Sequence, residues 1–196
     1  QNGADRYGTI VLPFPVNIAE SNERGISMEL YHLNAAVEDE PGNIKLKFEQ
    51  VEGVSEMNTP YLVKSLETTG GGTIYFIDNN IPKALNFPEG NKEAMKKITS
   101  ATGNVKLFGS YVTYEAESNG QAWDGYSGYY HSDVYGLPGG NTDLTLYNMA
   151  AGSILPAWRA AVEVKNVAEG AKITMEFVEK PVVTPEPEDG EETGKP

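Results

Sequence analysis

Apolar and polar residues alternate with a period of two along much of this chain, and that alternation predicts its elements. In Ile44-Lys45-Leu46-Lys47-Phe48-Glu49 the apolar side chains share one face and the charges the other. The same pattern sets Trp158, Ala160, Val162 and Val164 against Arg159, Ala161, Glu163 and Lys165, and Ile173, Met175 and Phe177 against Lys172, Thr174 and Glu176. Each stretch reads as a strand with one wet face, as antiparallel sheets have. Further strands are predicted at 28–33, 61–64, 73–77, 105–108, 111–115 and 144–147. Between them stand strong turn formers: Asp39-Glu40-Pro41-Gly42-Asn43, Gly70-Gly71-Gly72, Asp78-Asn79-Asn80, Ser118-Asn119-Gly120 and Pro138-Gly139-Gly140-Asn141. About nine or ten short strands in this grammar predict an all-β chain, an antiparallel β-sandwich. One short helix is allowed at 91–98, where Ala94, Met95 and Ile98 fall at helical spacing.

Two proline-punctuated apolar blocks stand at opposite ends of the sequence. Gly8-Thr9-Ile10-Val11-Leu12-Pro13-Phe14 opens it, and Ile154-Leu155-Pro156-Ala157-Trp158-Arg159-Ala160 followed by the 173–177 strand closes it. They are expected to share one core, with Ile10, Leu12, Trp158, Val162, Ile173, Met175 and Phe177 on its buried face. Residues 1–180 then form a single domain. The tail 181–196 has four prolines and five carboxylates against one lysine, too little apolar surface to offset its ordering entropy, so it is expected to be a disordered linker or end.

Composition narrows the function classes. The net charge is −13, spread along the body as well as the tail, and such a field repels nucleic-acid phosphates and anionic lipid. Neither partner is expected. There is no cysteine, so no disulfide framework and no thiolate metal site. No apolar run is long enough for a spanning helix, and no membrane insertion of this chain is expected. No apolar leader stands at Gln1, so an exported form is expected to have lost it already.

Four blocks in order, Gly8-Thr9-Ile10-Val11-Leu12-Pro13-Phe14, Met57-Asn58-Thr59-Pro60-Tyr61-Leu62-Val63-Lys64, Phe108-Gly109-Ser110-Tyr111 and Leu155-Pro156-Ala157-Trp158-Arg159-Ala160, together with the closing strand at 173–177, resemble a β-rich domain of exported and surface proteins of Bacteroidetes. The resemblance covers about residues 8–178 and departs at Met57, where alanine is usual, and at Ala157-Trp158, where a single phenylalanine is. It implies a secreted or surface-tethered, non-catalytic domain, periplasmic, cell-surface or extracellular, and brings no catalytic residues.

Candidate chemistry concentrates in 123–136, where Trp123, Tyr126, Tyr129, Tyr130 and Tyr135 stand among glycines. Flat rings beside Asp and His groups suit stacking on a sugar, and Tyr and Trp also dominate protein-binding hot spots. The plainer reading makes them strand residues. His32 and His131 are far apart in sequence, and no nucleophile, zinc or phosphate-loop motif accompanies either. Asp78-Asn79-Asn80, Asp124, Asp133 and Asp143 reproduce no calcium-loop spacing and read as turn residues. Arg159 reads as a planar clamp on a carboxylate or ring, with Glu163 on its own strand face. The expectation is therefore a non-enzymatic surface module, structural, adhesive or ligand-binding, without cofactor or metal. Its partner is a glycan or a surface or host protein. A carbohydrate-binding module using 123–135 is the alternative, and a glycoside-active enzyme the more distant one.

Overall fold

The computed structural model describes residues 6–40, 42–67, 73–77, 93–98, 105–111, 113–115, 133–137, 144–150, 152–167 and 170–178. Twelve strands are present among them. They are β1 (Arg6–Val11), β2 (Met28–Glu40), β3 (Asn43–Gln50), β4 (Pro60–Ser65), β5 (Glu93–Ile98), β6 (Val105–Ser110), β7 (Tyr114–Glu115), β8 (Val134–Gly136), β9 (Thr145–Asn148), β10 (Ile154–Leu155), β11 (Arg159–Val164) and β12 (Ile173–Val178). The chain is mostly β, as its alternation predicts. The helix lies elsewhere: α1 (Ile18–Arg24) is capped by Asn17, whose Oδ1 accepts from the Glu20 N–H at 3.2 Å while its Nδ2 donates to the Glu20 carboxylate at 3.0 Å. The segment read as helical at 91–98 is instead the strand β5, in register with β6 from Glu93↔Ser110 to Ile98↔Val105. A run this short nucleates a helix poorly, and the β6 edge supplies a ready ladder. The stretch 73–77 is irregular rather than a strand, and only the end of 111–115 is one.

Ten strands hydrogen-bond in the single order β1-β4-β2-β3-β12-β9-β8-β11-β6-β5, and β7 pairs with β10 as a separate ribbon. The sheet curls on itself, with β1 packed against β11 and β6 while β2 and β4 meet β5. The result is a nearly closed, barrel-like wall, where the strand pattern alone predicts two antiparallel sheets. Nor is the pairing purely antiparallel: β12 runs parallel to β3, from Ile173↔Ile44 to Val178↔Glu49. A turn-based count finds hairpins but not this long return of the last strand.

The main core lies inside the curl. Leu33, Leu46, Phe48, Leu62, Ile173 and Met175 from β2, β3, β4 and β12 meet Leu107, Val162 and Val164 from β6 and β11. A second core covers the outer face of β1, β4 and β2, where Val16, Met28, Leu30, Tyr61 and Val63 pack with Ile10, Leu12, Phe14, Ile18, Ile74 and Phe76. Ile10 and Leu12 thus belong to this outer layer, and Val11 is the residue of the opening block that points inward. The layer is tied down by polar contacts. Ser21 Oγ donates to the Asn17 carbonyl at 2.7 Å and accepts from the Ile77 N–H at 3.0 Å. Phe177 is half-buried between Tyr7, stacked at 5.5 Å, and Tyr31 at 4.5 Å.

Closure of the curl happens where β1 meets β11. The Thr9 hydroxyl accepts from the Ala160 N–H at 2.9 Å and donates to the Ala160 carbonyl at 2.7 Å, replacing a backbone rung with a side chain. Val11 N–H donates to the Trp158 carbonyl at 3.1 Å. Next door, β6 makes room with Gly109, where an added Cβ would stand 2.6 Å from Val11 Cβ. Gly109→Ala is therefore expected to lower stability by about 1–3 kcal/mol in urea unfolding, through overpacking. Pairing it with Val11→Ala should recover part of that loss, and strict additivity of the two would show that they do not touch.

Candidate functional site

The closing block carries a local irregularity that period-two counting does not foresee. Trp158 N–H donates to the Ser110 carbonyl at 2.6 Å, and Arg159 stands in register with the same Ser110. Two residues of the β11 side thus oppose one of β6, in the manner of a β-bulge, and the first of them has φ of 68°. That left-handed conformation is normally a glycine's, and for a bulky residue it is an outlier. A bulge interrupts the alternation, so Trp158 is not carried inward with Ala160, Val162 and Val164. It is 37% exposed, against the expectation of a core residue.

The indole is nevertheless held. Its ring stands edge-on to Tyr111 at 5.5 Å with an interplanar angle of 81°, and Tyr111 is buried against Val11. The Tyr111 hydroxyl donates to Asn58 Oδ1 at 2.7 Å, and the Asn58 N–H donates to the Leu12 carbonyl at 2.7 Å. Asn58 itself has φ of 55°, a conformation asparagine tolerates better than most residues. Burial pushes the Tyr111 phenol far above its ordinary range, so at neutral pH it is a neutral donor under the indole. On the outer side, Arg159 is exposed and its Nη1 donates to the Thr9 carbonyl at 2.9 Å. The clamp thus grips a backbone oxygen rather than Glu163.

Glu163 departs from expectation in the opposite sense. Read as a wet-face residue, its side chain is only 1% exposed, 3.1 Å from Lys106 Nζ and 3.3 Å from Lys165 Nζ. The reason is that β11 is buried on both faces: Ala161 packs with Phe108, Val134 and Leu155 in a further cluster outside the wall. A buried carboxylate needs opposite charge beside it, and two lysines with partly exposed heads supply it.

Of the aromatic segment, Tyr135 is described. It is half-buried against the main core, opposite Val162 on β11 and Asn148 on β9. Burial, with help from the Asp133 charge, raises its phenol above the usual value. Trp123, Tyr126, Tyr129 and Tyr130 lie outside the described residues, as do His131, Asp124, Asp143, 78–80 and the tail 181–196. His32 sits on β2 with Nε2 3.8 Å from a Glu49 carboxylate oxygen. Among the described residues, no group of three or more His, Asp or Glu side chains is placed to hold a metal ion, and no helix is long and apolar enough to cross a membrane. The arrangement that geometry brings together is instead Trp158, Tyr111 and Asn58, with Arg159 held separately on the Thr9 carbonyl of the same seam. The signal that would have found it is Trp158-Arg159 following Pro156 at a strand start, where bulges gather.

Compared with family models, with curated proteins and with solved structures, the chain matches none.

Two outcomes follow from the geometry at Trp158. Trp158→Gly is expected to be more stable than Trp158→Ala by about 1 kcal/mol, because glycine adopts φ > 0 without steric cost. Urea midpoints of the two variants decide it, and Ala equal to Gly would remove the bulge as the cause of exposure. The second concerns pH. With the folded-state pKa of Tyr111 raised, and those of Tyr61 and Tyr135 raised also, chiefly by burial, the stability these phenols contribute is fully present below about pH 10, their unfolded value. It falls as pH rises past that point, because the unfolded chain then releases protons that the folded chain retains. Tyr111→Phe should flatten this alkaline loss in urea titrations, and a slope unchanged by the substitution would count against it.

Proposed function

We propose that this chain is a non-catalytic, exported surface module of adhesive or ligand-binding type, and that it binds through the exposed Trp158 at the seam. The observation that carries the reading is a large aromatic ring kept partly in solvent on a left-handed backbone, although the same position could house glycine at lower conformational cost. Strained, exposed residues gather at binding sites, where surrounding structure holds them in place. Here the holding is done by Ser110, Val11 and the Tyr111 edge. Trp, Tyr and Arg are also the residue types that dominate binding hot spots. Export and surface location are supported by the resemblance of the four sequence blocks.

The scaffold suits this role. On our reading residues 1–180 make one domain whose opposed walls amount to a flattened, sandwich-like barrel, with the acidic Pro-rich end at 181–196 as a spacer to an anchoring point or further module. A carbohydrate-binding surface built from Trp123, Tyr126, Tyr129 and Tyr130 is the rival location for the same kind of function.

Binding by one stacked ring and a few hydrogen bonds is expected in the range of about 1 mM to about 1 μM, roughly −4 to −8 kcal/mol. Titration calorimetry of the full chain against a panel of glycans and extracellular-matrix proteins tests it, with Trp158→Ala and Trp123→Ala in parallel. Loss of binding in Trp158→Ala alone supports the seam. Loss in Trp123→Ala alone moves the site to the aromatic segment, and silence across the whole panel overturns the binding reading in favour of a spacer.

A further inference from the structure

We infer that β12 is an exchangeable strand whose partner is a second copy of this chain, the two copies swapping their β12 strands in a reciprocal dimer. The inference is independent of the binding reading above, and the sheet order carries it. On one side of β12 stand β3, β2, β4 and β1, all from residues 6–65. On the other stand β9, β8, β11, β6 and β5, all from residues 93–164. Two halves that are consecutive in sequence are thus hydrogen-bonded into one sheet through a strand that belongs to neither. β12 runs parallel to β3 over six positions and antiparallel to β9 over two. It forms no hairpin with β11, the strand before it, because β8 and β9 stand between them. A parallel ladder is also slightly weaker per residue than an antiparallel one, which makes β12 easier to lift.

What β12 brings is a set of contacts that any copy can supply. Ile173 and Met175 fill the main core, and Phe177 stacks on Tyr7 and meets Tyr31. At the start of the strand the Lys172 N–H donates to Asn43 Oδ1 at 3.1 Å, and the Lys172 carbonyl accepts from the Ile44 N–H at 2.9 Å. Further along, the Met175 N–H donates to the Leu144 carbonyl at 2.7 Å. None of these needs β12 and its neighbours to share a chain, so exchange loses no contact. The difference between closed monomer and exchanged dimer then falls on the link at 165–172. Val167 of that link packs against the main core, and on either side of it stand two exposed left-handed residues, Asn166 with φ of 61° and Gly170 with φ of 82°. Left-handed residues turn a chain sharply, and a link that straightens to reach a second body sheds that conformation. An added Cβ at Gly170 would meet nothing within 4 Å. A side chain there acts on the backbone of the link alone.

The chain has no cysteine, so a disulfide reports the pairing directly. Thr174 stands opposite Lys45 in the parallel register, within disulfide reach for neighbouring strands. Chains carrying Lys45→Cys and chains carrying Thr174→Cys are unfolded together in urea, refolded at rising concentration and oxidised. Exchange is expected to give a 45–174 disulfide between two chains, in a fraction that grows with concentration. The doubly substituted chain should close the same bond within itself when dilute. Sedimentation equilibrium of the unsubstituted chain should show the matching dimer. Gly170→Ala, which penalises the closed link, should raise the association constant about five- to thirtyfold for each chain. A monomer at every concentration, with the 45–174 bond formed only inside the doubly substituted chain, overturns the proposal. So does a dimer in which the mixed single-cysteine chains form no 45–174 bond, which assigns association to an outer surface. A 45–174 dimer whose constant is unchanged by Gly170→Ala supports exchange and overturns Gly170 as its hinge.

Discussion

The fold depends on bringing the backbone of β1 within side-chain reach of β11 and β6, and that approach works only because Gly109 offers Val11 an empty surface. Everything else at the seam follows from this closeness. Thr9 sits near enough to lend its hydroxyl as a rung to Ala160, Arg159 near enough to hold the Thr9 carbonyl, and Asn58 near enough to join Leu12 to Tyr111. The four sequence blocks at 8–14, 57–64, 108–111 and 155–160 contribute these residues: Thr9 and Val11, Asn58, Gly109 and Tyr111, Trp158 and Arg159. Packing at one seam thus accounts for why those blocks stand out from ordinary strand grammar.

Curling a ten-stranded sheet into a nearly closed wall leaves some strands covered on both faces. On one side α1 and the segment 73–77 lie over β1, β4 and β2, which makes the run Pro60 to Val63 buried throughout. On the other side the region of β10 covers Phe108 and Ala161. Covering the second face is what strands Glu163 in the interior, and its two lysines are the electrostatic consequence. Near-closure also shelters the edge strand β1, whose Thr9 and Val11 bond to Ala160 and Trp158, from pairing with other chains.

Under the proposed binding role, the same seam links stability to function. A left-handed tryptophan is a local cost, and the Ser110 and Val11 backbone bonds with the Tyr111 edge hold it in place. An indole fixed in this way would lose little rotamer freedom in the proposed binding, so less of the stacking energy would be spent on ordering. The neutral, buried Tyr111 keeps that support unchanged across physiological pH.

Residue order by itself determined the β class, the positions of most strands and the inward faces of β3 and β12, because a period of two is a local property that burial of one face imposes directly. It placed Val162, Ile173 and Met175 in the core for the same reason. What it did not contain was everything set by the second layer and by closure. Ile10 and Leu12 were legible as buried but not as facing outward, since alternation says which residues share a face and not which face is the barrel's inside. Glu163 reads as solvated until a second layer covers β11. Ala94, Met95 and Ile98 fit a helix until the β6 edge offers them a ladder. Trp158 reads as core until one extra residue opposite Ser110 breaks the alternation and leaves the ring partly in solvent. Only tertiary structure decided these, because a bulge, a return strand and a covering ribbon are made by partners distant in sequence, whose positions no local period encodes.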